Sequence, residues 1–388
     1  MSSASSPKAE KILPGGLLAI LGGGQLGRMT AMAARTMGYR VRVMDPEAKC
    51  PASFVTDETI VGRWGDADAA RRLATGAGAV TLEIEQIGVD ALREVACLAP
   101  LRPGVEPVRI IQDKTLQKTW LAENGFPVGP FRVVRSEAEL HEAVTVLGGK
   151  VFLKIGHGGY DGRGQARIGF DSPATSEAIA QAWSAIGAKH AVAEQALDLE
   201  CEISVMAARS PSGEVRVYPA ARNHHESQIL AWSVLPAGVP AALESRAEKL
   251  AAELVEKLGI EGLLCAEIFI TRSGELLINE LAPRPHNSYH QSERGCVTSQ
   301  FEQLVRAVCN LPLGDTSLVS PAAIVNLLGD VWLQGEPDFA AALAVPGVRL
   351  HLYEKHTPRA GRKMGHLSAT GTTAEEALGR VLEAKKRL

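Results

Sequence analysis

The sequence lacks the features that mark a zinc-binding, membrane-spanning or secreted chain. Its six cysteines are scattered over 388 residues with no Cys-x-x-Cys spacing, so we expect buried free thiols in a reducing compartment. No apolar run approaches the roughly 20 residues that cross a bilayer. Residues 1–8 lack the apolar core of a signal peptide. We therefore expect a frayed tail over residues 1–15 and a cytoplasmic protein.

The sequence also lacks a large excess of either charge. A formal net charge of −3 argues against binding to duplex nucleic acid, although a local basic pocket for phosphate stays open. Hydrophobic residues make up 46% and charged residues 22%, which is typical of a globular protein. The length exceeds one ordinary core, so two or three domains are expected.

The first hundred residues alternate between strand and helix patterns. Buried strands are predicted at residues 17–21, 40–44 and 79–82. Helices are predicted from Gln25 to Met37 and from about Asp66. This alternation predicts an α/β fold that begins with a parallel, doubly wound layer over residues 16–112.

Two changes in composition divide the rest of the chain. A Pro/Gly-rich patch at residues 100–107 precedes a second domain, predicted over residues 113–311, with a first helix from Asp113 and mostly antiparallel strands. After Pro312 a small third domain is predicted over residues 312–388. Its predicted elements are strands near residues 323–328 and 349–353 and a closing helix from Ala374.

Two glutamates on either side of one tight turn are the most informative feature of the chain. Residues 265–270 and 276–280 are short and apolar, and the loop between them contains Ser-Gly, so they predict a β-hairpin. If the loop is centred on residues 273 and 274, Glu267 lies directly opposite Glu280. Their Cβ atoms would then be roughly 5 Å apart on one face of the sheet.

Two ionised carboxylates at this distance need a cation between them. Oxygen ligands suit Mg²⁺, and a magnesium ion that takes further oxygens from a substrate indicates nucleotide chemistry. The alternative is a solvated face on which Lys or Arg side chains neutralise the two carboxylates. A loop one residue longer or shorter would instead place them on opposite faces.

Two glycine-rich loops are candidate ligand sites. Gly22-Gly-Gly-Gln-Leu-Gly27 fits G-x-G-x-x-G between a strand and a helix, with Asp45 at the end of the next strand, so it predicts either dinucleotide binding or a tight turn with another ligand or none. The second loop, residues 156–164, follows Lys154 and contains Arg163. Its backbone N–H groups favour phosphate binding, although it is not a Walker A loop and could be a flexible hairpin tip.

Polar residues at three further places are candidate ligand contacts. Glu194 and Glu202 lie on apolar strands, where they would accept ribose hydroxyls or be ordinary surface charges. Adjacent His224 and His225 point to opposite faces of a strand, so a shared metal ion is not expected. The stiff segment 284–290 and the basic loop 355–366 would hold an anionic substrate and its phosphate; the alternative for the loop is a solvated basic turn.

Together these motifs resemble the ATP-grasp superfamily and, within it, the N5-carboxyaminoimidazole ribonucleotide synthetase (PurK) family, the ATPase subunit of phosphoribosylaminoimidazole carboxylase. The stretches that carry the resemblance are GGGQLGRM, GGYDGRGQ, INELAPRPHNS and GRKMGH. The resemblance covers nearly the whole chain after the tail. It implies an ATP-grasp fold with a Rossmann-like pre-ATP-grasp domain and a small C-terminal domain.

The resemblance implies a ligase that uses ATP to activate bicarbonate as carboxyphosphate and carboxylates aminoimidazole ribonucleotide in purine synthesis. Implied ATP contacts are Lys114, Lys154, Gly159, Tyr160, Asp161, Gly162, Arg163, Gly164, Gln165, Glu194, Gln195, Ala196, Leu197, Glu202, His225, Asn279 and Glu280. Implied substrate contacts are Gln25, Leu26, Glu83, Arg284, His286, Asn287, Ser288, Lys355, Arg362 and Lys363. Implied catalytic residues are Lys154, Tyr160, Asp161, Arg163 and Lys355, with Mg²⁺ on Glu267 and Glu280.

The resemblance also implies a homodimer and a transient hand-off of product to a mutase. Three positions depart from the family pattern: Lys114 stands where arginine is usual, Tyr289 where glycine is common, and Ala360 where proline is common. The alternatives are a formate-dependent glycinamide ribonucleotide transformylase of the same fold, an NAD-dependent dehydrogenase that uses Asp45, and a non-catalytic nucleotide-binding or scaffolding relative. The GGYDGRGQ loop favours the carboxylating family, and the paired charges argue against a scaffold.

Overall fold

The computed structural model describes residues 10–159, 164–187, 189–333 and 335–388. In these ranges the chain forms one parallel and two antiparallel sheets, packed against helices. This confirms the predicted α/β class. No helix in the described ranges is both long enough and apolar enough to span a bilayer.

The parallel sheet comes first in the chain, as predicted. Its strand order is β3-β2-β1-β4. The strands are β1 (Leu17–Leu21), β2 (Arg40–Asp45), β3 (Glu58–Val61) and β4 (Ala79–Leu82), and the helices are α1 (Gln25–Thr36), α2 (Ala67–Ala74), α3 (Val89–Leu98) and α4 (Val105–Ile111). Because helices cover both faces, β1 is a continuous apolar run, buried from Leu18 to Leu21.

A four-stranded antiparallel sheet follows, in the order β5-β8-β6-β7. The helix that precedes this sheet begins directly after Asp113. The Asp113 side chain caps the N-terminus of that helix by accepting hydrogen bonds from two backbone N–H groups. The elements of this region are α5 (Lys114–Glu123), β5 (Phe131–Val134), α6 (Glu137–Val146), β6 (Val151–Ile155), β7 (Gln165–Ile168), α7 (Ser176–Ile186) and β8 (Ala191–Gln195).

A large antiparallel sheet contains nine described strands, in the order β14-β13-β9-β11-β12-β15-β17-β16 with β10 beside β9. Its strands are β9 (Leu199–Arg209), β10 (Val215–Val217), β11 (Ala221–Glu226), β12 (Ile229–Leu235), β13 (Gly262–Thr271), β14 (Leu276–Ala282), β15 (Ala322–Leu328), β16 (Arg349–Leu352) and β17 (Lys363–Thr370). The helices of this region are α8 (Ala241–Lys257), α9 (Ser292–Gly295), α10 (Gln300–Val308), α11 (Asp330–Leu333), α12 (Phe339–Leu343) and α13 (Ala374–Lys386).

The last three strands do not form a sheet of their own. β15 pairs with β12 from Trp232 opposite Val325 to Leu235 opposite Ala322, so the C-terminal strands extend the sheet of the middle region. Val234 and Ala323 belong to the same buried cluster. The domain boundaries at residues 112 and 311 stay predictions, but the sheet is continuous across the second of them.

The expectation of a free tail is wrong for the part of it that the structure describes. The Ile12 N–H donates to the Cys309 carbonyl over 2.9 Å, and the Tyr39 hydroxyl donates to the Ile12 carbonyl over 2.6 Å. The Ile12 side chain packs against the core cluster that contains both Tyr39 and Cys309. The sequence did not predict this because the contacts come from residues far along the chain. Residues 1–9 lie outside the described ranges.

We expect Ile12→Ala to lower the free energy of unfolding by about 1–2 kcal/mol, since it removes apolar contacts from a partly buried site. Leu13→Ala is the matched control, because Leu13 is 61% exposed and should change stability by less than about 0.5 kcal/mol. Urea denaturation of both variants measures the difference. Equal stability of the two variants would contradict the anchoring role of Ile12.

Candidate active site

The hairpin of β13 and β14 brings Glu267 and Glu280 directly opposite each other, as predicted. The route to this register differs from the expectation. Next to the turn, Ile270 pairs with Leu276, which is one residue away from the predicted pairing. A register shift between Glu267 and Ile268 then returns the two strands to the predicted pairing. The shift leaves Asn279 as the extra residue of a β-bulge on β14. Bulges re-aim side chains beside functional sites, and here the bulge restores the pairing of the two glutamates.

The Glu267 carboxyl lies among other acids. Burial raises its pKa to about 7, and the nearby Glu202 and Glu280 carboxylates add to the shift. Its neighbour at 3.2 Å is His286 Nε2. Burial and the Arg284 charge hold the pKa of His286 well below its usual range, so this imidazole is a neutral donor rather than a counter-charge. The site therefore favours a cation beside Glu267.

Three lysines, of which Lys118 is buried and Lys114 and Lys154 are half-buried, face the acids across the cleft. Lys154 Nζ lies 2.7 Å from Glu194 Oε2 and 3.2 Å from Asn279 Oδ1. Lys118 Nζ lies 3.3 Å from Glu194 Oε1, and Lys114 Nζ lies 2.6 Å from Glu280 Oε1. Burial acts to raise the pKa of Glu194, but Lys118 and Lys154 outweigh it and lower the value to about 2. The cleft therefore holds lysine charges in place before any phosphate arrives.

One cleft of 1030 Å³ gathers most of the predicted site residues. On the predicted ATP and metal side, it is lined by Lys114, Lys154, Gly159, Gly164, Gln165, Glu194, Gln195, Ala196, Leu197, Glu202, His225, Glu267, Asn279 and Glu280. On the predicted ribonucleotide side, it is lined by Gln25, Leu26, Glu83, Arg284, His286, Asn287, Lys355, Arg362 and Lys363. Tyr160, Asp161, Gly162 and Arg163 lie outside the described residues. A cleft of this size matches the range of small-molecule sites.

The glycine turn after β1 is occupied by the protein's own carboxylates. The N–H groups of Gly24 and Gly27 donate to Glu83 over 2.7 and 2.8 Å, and the Gly23 N–H donates to Asp45 over 2.9 Å. A Cβ at Gly24 would overlap the Glu83 carboxylate, which explains the need for glycine. Because Glu83 takes the place of a pyrophosphate at the start of α1, the alternative of a dinucleotide site that uses Asp45 is wrong.

The segment after β14 presents one polar side chain with no partner. Asn287 is 6% exposed and lines the cleft, and neither atom of its amide has a hydrogen-bond partner among the described residues. Leaving a buried amide unpaired is costly, so this side chain is placed for a ligand. Arg284 is instead engaged, with its guanidinium on both oxygens of Glu85 at 2.5 and 3.2 Å.

Ser288 does not line the cleft, in contrast to its predicted direct contact with substrate. It is fully buried, and its hydroxyl lies 2.8 Å from His286 Nδ1, so it can affect a ligand only through that ring. Tyr289 is also fully buried. Its hydroxyl bonds to the carbonyls of Ser204 and Pro219 over 2.9 and 2.8 Å, which anchors the segment to β9.

The basic loop between β16 and β17 meets the glycine turn across the cleft. Lys355 Nζ donates to Gln25 Oε1 over 2.6 Å and to the Lys363 carbonyl over 2.8 Å. The contact between Lys355 and Gln25 joins residues 330 positions apart in the sequence. A ligand between the two segments would therefore be held from both ends of the chain.

The two adjacent histidines have different surroundings, as the strand pattern predicts. His225 Nδ1 lies 2.6 Å from Glu202 Oε2 in the cleft, whereas His224 is exposed and stacks on Trp232. Burial acts to lower the pKa of His225, but the hydrogen bond to Glu202 raises it overall. The two histidines do not share a ligand position.

Two charged residues of the cleft were missed as site residues. Lys118 could have been found from the sequence, because it lies one helical turn after Lys114 and so shares its face of α5. Glu85 carried no comparable signal, since its partner Arg284 is 199 residues away.

Comparison with known proteins adds to this geometry. Residues 17–112 match the ribonucleotide synthetase pre-ATP-grasp domain, residues 119–301 the ATP-grasp domain, and residues 322–380 the phosphoribosylaminoimidazole carboxylase C-terminal domain. The N5-carboxyaminoimidazole ribonucleotide synthase of Bacillus subtilis is 40% identical over 359 residues, which cover 92% of each chain. The chain belongs to the N5-carboxyaminoimidazole ribonucleotide synthase family.

Solved structures of this family have the same fold. The ADP complex of an N5-carboxyaminoimidazole ribonucleotide synthetase superposes with a TM-score of 0.89 at 38% identity, over 97% of this chain and 98% of that one. The Aspergillus clavatus synthase in complex with ADP and 5-aminoimidazole ribonucleotide has a TM-score of 0.87 at 29% identity, over 98% and 100% of the two chains. The resemblance inferred from the motifs and the ATP-grasp fold are confirmed.

Glu267→Gln should stabilise the protein in the absence of Mg²⁺ and nucleotide, and only at high pH. The folded-state pKa of Glu267 is raised from 4.5 to about 7, so its ionised form disfavours the folded protein. This penalty is absent below pH 4.5 and complete above pH 7. We expect the variant to gain on the order of 2 kcal/mol at pH 8 and nothing at pH 4.5.

Thermal or urea unfolding at the two pH values measures this gain. The exposed Glu275 of the same hairpin provides the control, and Glu275→Gln should change stability equally little at both pH values. An equal gain for Glu267→Gln at pH 4.5 and pH 8 would show that the carboxyl charge is not its cause.

Proposed function

We propose that this chain catalyses the ATP- and bicarbonate-dependent carboxylation of 5-aminoimidazole ribonucleotide to N5-carboxyaminoimidazole ribonucleotide, a ligase reaction of de novo purine synthesis. One observation carries the proposal. In a chain 40% identical to a named synthase, the paired glutamates and the lysines share one cleft with the basic loop and the glycine turn. A family structure that contains both ADP and 5-aminoimidazole ribonucleotide supports the pairing of these ligands.

In the first step a bicarbonate oxygen attacks the γ-phosphorus of ATP. The new O–P bond forms as the bond to ADP breaks, which gives carboxyphosphate and ADP. The reaction needs positioning and neutralisation of oxygen charge more than covalent help from the protein. We assign Lys154 and Arg163 to that neutralisation, and Lys114 to the outer phosphates. The contacts of Lys154 and Lys114 with Glu194 and Glu280 hold both ammonium groups inside the cleft.

In the second step the 5-amino nitrogen attacks the carboxyl carbon of carboxyphosphate. A C–N bond forms, phosphate leaves, and the nitrogen loses a proton. Water must be excluded, because it would destroy the acyl phosphate, so we assign the glycine loop that contains Tyr160 and Asp161 to closing the cleft. Lys355, Arg362 and Lys363 would hold the ribonucleotide phosphate, and Gln25 and Asn287 would contact its neutral groups.

The donor set fits Mg²⁺. Two facing carboxylates supply oxygen ligands. Burial is the main cause of the raised pKa of Glu267, and the Glu202 and Glu280 carboxylates add negative charge that a divalent cation would offset. When bound, the ion would neutralise phosphate oxygens of ATP. Glu267 and Glu280 would hold the ion, and Lys114, whose Nζ lies 2.6 Å from Glu280 Oε1, would lie beside it.

Glu280→Gln tests the proposal directly. We expect the wild-type protein to release ADP only when both aminoimidazole ribonucleotide and bicarbonate are present, and the variant to lose at least about 100-fold of this rate. A coupled assay for ADP measures both. Glu275→Gln, which alters an exposed carboxylate of the same hairpin, should keep the wild-type rate. Equal release by wild type and Glu280→Gln would refute the assignment.

The formate-dependent transformylase of the same fold is the rival reaction. Replacing bicarbonate with formate, and aminoimidazole ribonucleotide with glycinamide ribonucleotide, should abolish ADP release. Turnover that depends on formate would instead support the rival.

Asn287→Ala should weaken binding of the ribonucleotide and not of ATP. Loss of one or two hydrogen bonds predicts a KM for aminoimidazole ribonucleotide raised about 10-fold or more, with an unchanged KM for ATP. Asn124→Ala is the control, since that amide bonds to the Trp120 carbonyl at the end of α5. If Asn287→Ala raised only the KM for ATP, the side chain would contact ATP and the assignment to the ribonucleotide would be wrong.

We further propose a cytoplasmic homodimer that passes its labile product to a mutase. The location is supported by the six free cysteines, which suit a reducing compartment. The dimer and the hand-off rest on the family resemblance. Size-exclusion chromatography with light scattering measures the oligomeric state.

A further inference from the structure

A second cluster of metal-ligating side chains lies outside the Glu267/Glu280 pair. His351 on β16 and His366 on β17 are directly opposite each other in the antiparallel ladder. Their rings are nearly parallel, at 12°, with centroids 5.1 Å apart. Glu293 on α9 reaches the same place, and one ligand atom from each of the three residues lies within 4.8 Å of the other two.

The three side chains leave ligand atoms open. The His366 Nδ1 side is engaged with the Tyr353 hydroxyl at 2.8 Å, which leaves Nε2 open. A hydrogen bond on the far nitrogen is the arrangement that orients metal-ligating histidines. Within the described residues, the His351 ring makes stacking contacts and the Glu293 carboxylate makes no hydrogen bond or ion pair.

Protonation distinguishes the carboxyl from the two imidazoles: desolvation raises the pKa of Glu293 to about 7, so metal binding would displace a proton from part of the Glu293 population at neutral pH. Burial lowers the pKa of His351, and the Arg28 charge lowers it further. Burial likewise holds the pKa of His366 well below its usual range. Both imidazoles are therefore neutral at physiological pH, which is the form that coordinates metal. Arg28 itself lies 3.6 Å from Glu354, so that carboxylate offsets part of its charge.

We propose that Glu293, His351 and His366 form a binding site for Zn²⁺ or a similar transition-metal ion, separate from the magnesium pair. Two histidines and one carboxylate with an open fourth position form a donor set that zinc takes in proteins. Tetrahedral bonds of about 2.1 Å put ligand atoms about 3.4 Å apart, so binding must draw these atoms together by up to about 1.4 Å. It must also rotate the nearly parallel rings so that both in-plane lone pairs point at the ion. Glu293 is exposed, which gives the ion a route from solvent.

The site would connect two segments that also reach the cleft. Glu293 lies six residues after Asn287, and His351 lies four residues before Lys355. A bound ion would tie α9 to the edge of the sheet formed by β16. The proposal does not depend on the proposed reaction, since binding is measured without substrates.

Cobalt titration of untagged, chelator-treated protein tests the site. Excess Mg²⁺ is kept present to occupy the oxygen-only pair, so that Co²⁺ reports on nitrogen ligands. We expect one equivalent of Co²⁺ to give an intense tetrahedral absorption band, which Zn²⁺ abolishes by displacement. His351→Ala should weaken Zn²⁺ binding at least 100-fold, and Glu293→Gln about 10-fold or more.

His224→Ala is the matched control, because His224 is an exposed strand histidine that stacks on an aromatic ring. The His224→Ala variant should bind Zn²⁺ with the affinity of the wild type. Zn²⁺ should also raise the melting temperature of the wild type by about 2–5 °C and leave that of His351→Ala unchanged, which separates lost binding from lost folding. Absence of the tetrahedral band, or equal affinity in wild type and His351→Ala, would overturn the proposal.

Discussion

The repulsion between Glu267 and Glu280 is the constraint around which the cleft is arranged. The β13–β14 register places the two acids opposite each other, and the bulge at Asn279 maintains that register against a turn that would break it. Like charges across a strand pair cost stability. That cost persists in the folded protein because the same geometry can hold a cation. A divalent cation would relieve this repulsion, so the cost favours metal and nucleotide binding.

The lysines complete this balance of charge. Each of the three ammonium groups has a carboxylate neighbour in the absence of nucleotide: Lys154 and Lys118 contact Glu194, and Lys114 contacts Glu280. Burying an unpaired charge would cost several kcal/mol, so the acids offset that cost and hold the lysine side chains in position. An incoming phosphate then exchanges partners within an ordered network instead of ordering free side chains. This reduces the entropy that binding must overcome.

Local patterns in the sequence predicted much of this arrangement. Strands β1 and β4 have the predicted bounds, because an apolar run between helices allows few alternatives. The pairing of the glutamates was also correct, although the bulge that produces it was not predicted. The continuity of β12 with β15 was missed, as was the role of Glu83 at the glycine turn. These features depend on partners far apart in the sequence, and local periodicity carries no information about such pairs.

The junction between β12 and β15 has a consequence for how the protein can be divided. A chain that ended before β15 would leave the backbone groups on one edge of β12 unpaired, along an apolar strand that is mostly buried in the full protein. Exposed edges of this kind recruit strands from other molecules. The C-terminal segment therefore serves as a cover against aggregation as well as a source of basic side chains. Natural fusions and laboratory fragments of this enzyme should keep the two regions in one polypeptide.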